Sequence, residues 1–205
     1  MTTKSHWERV YAAKSPWEVS WYQLHPTLSL RLIEMCELGP EAGIIDVGGG
    51  TSNLVDELLA RGFADLALLD ISERALDQNR ARLGPKAQNV EWIAADVTAF
   101  EPPRRWHLWH DRAVFHFLTE AEDRAGYRRA LNEAVLADGF VIVATFGLKG
   151  PKRCSGLDVV RYSAKSLAAE LGPEYELVQA QDEAHKTPSG KTQAFTYCLF
   201  RRSPT

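Results

Sequence analysis

Cysteine is scarce in this 205-residue chain: Cys36, Cys154 and Cys198 lie far apart, and no CxxC pair occurs. Three scattered thiols make neither a disulfide framework nor a structural zinc knot. No apolar run approaches 18 residues, and the opening MTTKSHWERVYAAKSPW has no apolar h-region. The expectation is therefore a cytoplasmic chain without signal peptide or membrane span. An excess of charge of one sign is also missing, with 24 Lys and Arg against 27 Asp and Glu. Nucleic acids and anionic membranes reward a basic face, so neither is expected as a partner. HxH and HExxH spacings are absent. His107 and His110 on one strand would point to opposite faces, so no metal is expected.

What is present is an ordinary globular composition, 45% hydrophobic and 25% charged. It suits one domain, with residues 1–40 as an N-terminal segment and 41–205 as the core. The N-terminal segment is rich in aromatics: Trp7, Tyr11, Trp17, Trp21 and Tyr22. Helical spacing of Leu28, Leu32, Met35 and Cys36 predicts a helix over 26–38, stopped at Gly39-Pro40. Beyond it, strand and helix patterns alternate. Strands are expected at 43–47, 66–69, 90–93, 106–109, 140–146, 176–180 and 193–200. Helices are expected at 53–61, from Ser72 to near Gly84, from a Thr119/Glu122 capping box to Ala137, and at 163–171. Such alternation with near-continuous apolar strands predicts an α/β fold: a doubly wound, mostly parallel sheet that binds ligands at its strand tips.

The candidate chemistry sits at those tips. Asp46-Val47-Gly48-Gly49-Gly50-Thr51-Ser52-Asn53 follows the first strand and opens a helix. Glycines there allow a tight turn and close approach of a ligand, and the helix start offers unpaired N–H groups. A dinucleotide fingerprint would place glycine at position 53, where this chain has Asn53. A plain strand–helix turn is the bland alternative. Asp70 ends the second strand, placed to accept ribose hydroxyls. Asp96 ends the third, placed to accept from an adenine amine, with the Val97 N–H beside it.

The segments DVGGGTS, LLDIS, AADVTAF and LADGFVIVATF resemble the class I (seven-β-strand, Rossmann-like) S-adenosylmethionine-dependent methyltransferases, from about Gly43 to the C-terminus. The resemblance implies sheet order 3-2-1-4-5-7-6 with the last strand antiparallel. It implies S-adenosylmethionine as cofactor, S-adenosylhomocysteine as product, and methylation as the reaction of this transferase. It also implies that the loop of Gly48, Gly49 and Gly50 wraps the methionine part, that Asp70 binds the ribose and Asp96 with Val97 the adenine, and that Asp46 and Ile71 are among the cofactor-binding residues. Trp7, Tyr11 and Trp21 are similar to the aromatic lid of small lysine-methyltransferase-like members. Trp7, Trp17 and His25-Pro26 are laid out like the N-terminal segment of thiopurine-type members. Aromatic faces attract a sulfonium cation and exclude water from it; the alternative is a set of packing anchors for an added helix.

After the fourth strand the lysine-methyltransferase-like relatives carry E-K-G-T-L-D. This chain has Asp111-Arg112 in the first two places and His116 in the last, which argues against a lysine acceptor. Asp111 and Arg112 are expected beside the cofactor, and His116 is the candidate general base, since histidine titrates near neutral pH. Tyr22, His110, Cys154 and Tyr162 are the candidates on the acceptor side. The expected acceptor is a small molecule. A protein lysine is one alternative; a non-catalytic, cofactor-binding regulatory protein and a nucleotide-dependent oxidoreductase are others.

Overall fold

The structure, a computed structural model, describes residues 3–204. Its centre is a seven-stranded sheet of order β3-β2-β1-β4-β5-β9-β8. The strands are β1 (Ile44–Val47), β2 (Leu66–Asp70), β3 (Val90–Ala94), β4 (Trp106–Arg112), β5 (Val135–Phe146), β8 (Tyr175–Lys186) and β9 (Thr192–Arg202). The first five pair in parallel, while β9 runs antiparallel to both β5 and β8. The predicted order and its antiparallel strand are observed. The higher strand numbers arise because a two-residue hairpin, β6 (Arg153–Cys154) with β7 (Leu157–Asp158), interrupts the chain after β5. Strands that short leave no periodic pattern to read.

The six α-helices among the described residues are α1 (Thr3–Ala13), α2 (Thr27–Glu34), α3 (Leu54–Ala60), α4 (Glu73–Leu83), α5 (Ala121–Ala134) and α6 (Ala164–Leu171). None is long and apolar enough to cross a membrane. Alternation along β1 and β4 divides the core in two. Ile45, Val47 and Trp109 face α5 and α6 on one side, while Ile44 and Leu108 face α2 and α3 on the other. This is the two-layer wrapping that a sheet buried on both faces requires.

Local chemistry sets the helix starts. The Ser72 hydroxyl accepts from Ala75 N at 3.2 Å and Ser163 accepts from Ser166 N at 3.2 Å, as N-caps do. The Thr119 capping box is corrected. Helix α5 begins after Glu120 without a side-chain cap, and the Thr119 hydroxyl instead bonds the Glu120 carboxylate. That helix also ends at Ala134 rather than Ala137. Buried Val135 is extended and pairs with Trp106, so sheet pairing claims three residues that helical spacing would extend.

Candidate active site

The glycine loop between β1 and α3 is held by its neighbours. Gly48 and Gly50 have φ of +63° and +50°, the left-handed region that favours glycine. A Cβ on Gly48 would collide with Val114, and one on Gly50 with the Tyr11 hydroxyl. The Asn79 side chain donates to the Gly50 carbonyl at 2.5 Å. Asn53, standing where a dinucleotide fingerprint wants glycine, donates to the carbonyls of Gln23 and Leu24 at 3.2 and 3.1 Å. Its side chain ties the loop to the N-terminal segment, a role glycine cannot fill.

Two cavities open at the strand tips. The first encloses about 740 Å³, mouth included, within the range of small-molecule sites. Its base is Val47, Gly48 and Leu69, and one wall is Asp70, Ile71, Ala95, Asp96 and Val97. The opposite wall is Arg112, Ala113, Val114, Phe117 and Leu118, and the N-terminal segment supplies Thr3, Trp7, Tyr11 and Trp21. The second, about 480 Å³, lies between the segment from Val19 to Ser29 and the glycine loop, and is bordered by Asp46, Gly49, Tyr22 and His110. Trp21, Gly48 and Arg112 line both, so the cavities adjoin there.

The aromatic segment covers this junction. Trp7 meets Trp21 edge-to-face at 5.8 Å and Phe117 at 5.0 Å, and Tyr11 meets Trp21 at 6.4 Å. Such pairs add to area burial, and all four rings line the first cavity. Helix α1 is fastened to α4 by a Lys4–Glu73 ion pair at 2.8 Å and by the Gln78 amide, which donates to the Tyr11 carbonyl at 2.9 Å. The Trp17 ring is instead 63% exposed and lines neither cavity.

Burial tunes the acids. Asp70 is buried, and desolvation pushes its carboxyl up to about 7 despite hydrogen bonds from the Ser72 and Gly50 N–H groups. Asp96 is exposed; its Oδ1 accepts from the Thr98 N–H at 2.9 Å and the Thr98 hydroxyl at 2.8 Å. Asp46 bonds His110 Nδ1 at 2.7 Å through Oδ1, while its buried Oδ2 has no partner.

Five predicted residues lie outside both cavities, Gly50 of the loop among them. Asp111 is fully buried and accepts from the Val114 and Phe115 N–H groups at 2.9 and 3.1 Å and from the Tyr127 hydroxyl at 2.8 Å. It shapes the turn after β4, and burial raises its carboxyl to about 6. Among the acceptor-side candidates, Cys154 is buried, with Ser20 Oγ 4.0 Å from its sulfur and its thiol raised by desolvation. Tyr162 packs against Phe115 on the α5–α6 side of the sheet. The base assignment of His116 is corrected. Its ring is buried, Nδ1 accepts from the Phe146 N–H at 3.1 Å, and desolvation with nearby Arg112 lowers it to about 3. With Nδ1 accepting from backbone, Nε2 carries the hydrogen of the neutral ring, which leaves no free lone pair to take a proton near pH 7.

Residues missed in the sequence complete the walls. Phe117, Val114 and Leu118 follow β4 in a short turn, and nothing in their apolar character separates a wall from a core. Thr3 carries no signal at all. His185, at the end of β8, lines neither cavity but bonds the Ser20 carbonyl through Nε2 at 2.8 Å. Among the described residues no group of three or more His, Cys, Asp or Glu could hold a metal ion.

These walls suit S-adenosylmethionine: a positive-φ glycine cradle, a buried carboxylate oxygen without a partner, aspartates at two successive strand tips and an aromatic cover. Comparison with known proteins agrees. Residues 44–139 match a family described as a methyltransferase domain. A mouse protein, "eEF1A lysine and N-terminal methyltransferase", is 25% identical over 103 residues, a stretch that covers 48% of this chain and 14% of that protein. Among solved structures, "Conversion of a Disulfide Bond into a Thioacetal Group during Echinomycin Biosynthesis" superposes with a TM-score of 0.76 at 16% identity, covering 98% of this chain and 93% of that one. The N-methyltransferase NodS from Bradyrhizobium japonicum, in complex with S-adenosyl-L-homocysteine, gives 0.73 at 14% identity over 98% and 99%. Residues 44–139 thus match a methyltransferase domain, and the whole chain has the seven-strand Rossmann-like fold of these solved structures.

Proposed function

We propose that this protein transfers a methyl group from S-adenosylmethionine to a small-molecule acceptor whose nucleophilic atom arrives already deprotonated. The cofactor, when bound, supplies a methyl group on a positively charged sulfur. What remains for the protein is alignment and exclusion of water. Asp70 accepts the ribose hydroxyls, Asp96 and Val97 meet the adenine, and the second cavity takes the amino-acid end. The faces of Trp7, Tyr11, Trp21 and Phe117 shelter the cation and keep water from competing with the acceptor.

The observation that carries the acceptor class is that none of the described residues lining both cavities is a base. Trp21 and Arg112 meet there with Gly48, and neither side chain accepts a proton. His116 is neutral and bonded to backbone, and both ring nitrogens of His110 are engaged. A neutral amine or a thiolate needs no such base, whereas an alcohol does. A second reading, a protein side chain as acceptor, is favoured by the name of the mouse relative, of which this chain matches a small part. Turnover of labelled methyl groups across amines, thiols, hydroxyls and basic peptides separates these. Label on small amines or thiols supports the proposal, and label on peptides alone supports the second reading. Tight cofactor binding without turnover on any acceptor points to a regulatory, non-catalytic binder.

A further inference from the structure

Asp46 and His110 are register partners on adjacent strands β1 and β4, so their side chains leave the same face of the sheet. The Asp46 carboxylate meets His110 Nδ1 at 2.7 Å, and His110 Nε2 meets the Ser29 hydroxyl of α2 at 2.9 Å. All three residues are buried. The proton positions follow from chemistry. A carboxylate only accepts, so Nδ1 carries the hydrogen; in the tautomer with its one hydrogen there, Nε2 accepts and Ser29 donates. The chain of donors runs one way and ends on Asp46 Oδ1, leaving the carboxylate its negative charge.

The second carboxylate oxygen is the anomaly. Asp46 Oδ2 is buried with no partner, beside the second cavity. A Cβ on Gly49 would stand 2.7 Å from it, so the absence of a side chain there keeps that oxygen uncovered. A buried, unpaired carboxylate oxygen is costly to keep unless a cation completes it. The amino-acid end of the cofactor carries such a cation, its ammonium group.

We propose that His110 and Ser29 are positioning residues that lock the Asp46 carboxylate with Oδ2 facing the cavity, ready for the cofactor's ammonium. The inference rests on the cofactor reading above and takes His110 from the acceptor side to the cofactor side. It makes α2 part of the cofactor site through a single hydroxyl. Without the ring, Asp46 is free to rotate about its side-chain bonds and turn Oδ2 away.

The test compares two nucleosides by titration calorimetry: S-adenosylhomocysteine, and 5′-methylthioadenosine, which keeps adenosine and sulfur but lacks the amino acid. Expected is a loss of about tenfold or more in S-adenosylhomocysteine affinity for H110A, with methylthioadenosine affinity changed less than twofold. H110N, whose amide N–H can stand near Nδ1, recovers most of the loss. S29A, a smaller change that keeps the sheet intact, shows the same ligand-specific pattern more weakly and carries the test if H110A does not fold. Equal losses for both nucleosides, unchanged S-adenosylhomocysteine binding, or H110N no better than H110A would overturn the relay. A wild-type protein that binds neither nucleoside overturns the cofactor reading itself and the relay with it.

Discussion

Arg112 donates through Nη1 to the carbonyl of Trp21 at 2.8 Å, tying the tip of β4 to the aromatic segment where the two cavities adjoin. The same guanidinium donates through Nε to the Tyr197 hydroxyl at 2.6 Å, stands 3.7 Å from Glu183, and lies over the Phe195 ring. One planar fork thus joins the aromatic segment, the sheet edge and the junction of the two cavities.

A lysine cannot serve these partners together, because its single ammonium lacks the fork geometry. R112K is therefore expected to loosen the segment and speed S-adenosylhomocysteine release about tenfold, read by stopped-flow fluorescence of the lid tryptophans. Release at the wild-type rate would show that the segment closes without this residue.

If Asp70 holds the ribose as proposed, cofactor affinity should be pH-dependent. Its carboxyl sits near 7 because burial disfavours the charge, whereas accepting from two ribose hydroxyls needs the ionised form. Below pH 7 the free protein holds a proton there that binding must release. S-adenosylhomocysteine affinity should thus fall as pH drops from 8 to 6, approaching tenfold per unit at the acid end. D70N should flatten this profile, and D70A should weaken binding at least tenfold at pH 8. A wild-type affinity that does not vary over this range would contradict the assignment.

His116 should matter for stability and not for proton transfer. H116A leaves the Phe146 N–H without an acceptor among packed aromatics, at a cost of about 2–4 kcal/mol in chemical unfolding. H116N can offer an amide oxygen to that N–H and should keep the turnover–pH profile of the wild type. Loss of one limb of that profile in H116N would restore the histidine as a base.

The two histidines also mark where sequence reading ends. The strands around Asp46 and Asp70 are legible because apolar runs closed by an acid or a glycine loop have few other readings. The aromatic segment is legible because so many rings in one stretch exceed what a surface helix uses. The directions of His110 and His116 are not legible in that way. Strand register places His110 beside Asp46, and the Asp111 carboxylate folds the next turn so that His116 points into the core. Both facts are tertiary, and spacing along the chain carries neither. Asn53 shows the converse: a departure from a glycine pattern became intelligible once its amide was seen reaching Gln23 and Leu24.

The claim on which the rest depends is that the tips of β1, β2 and β3 hold an adenosyl group attached to sulfur. Calorimetric titration of the wild-type protein at pH 8 with S-adenosylmethionine, S-adenosylhomocysteine and NAD tests it most directly. The account predicts stoichiometric binding of both sulfur nucleosides at micromolar or tighter affinity, and no heat from NAD. Saturable binding of NAD, with neither sulfur nucleoside binding, would contradict it.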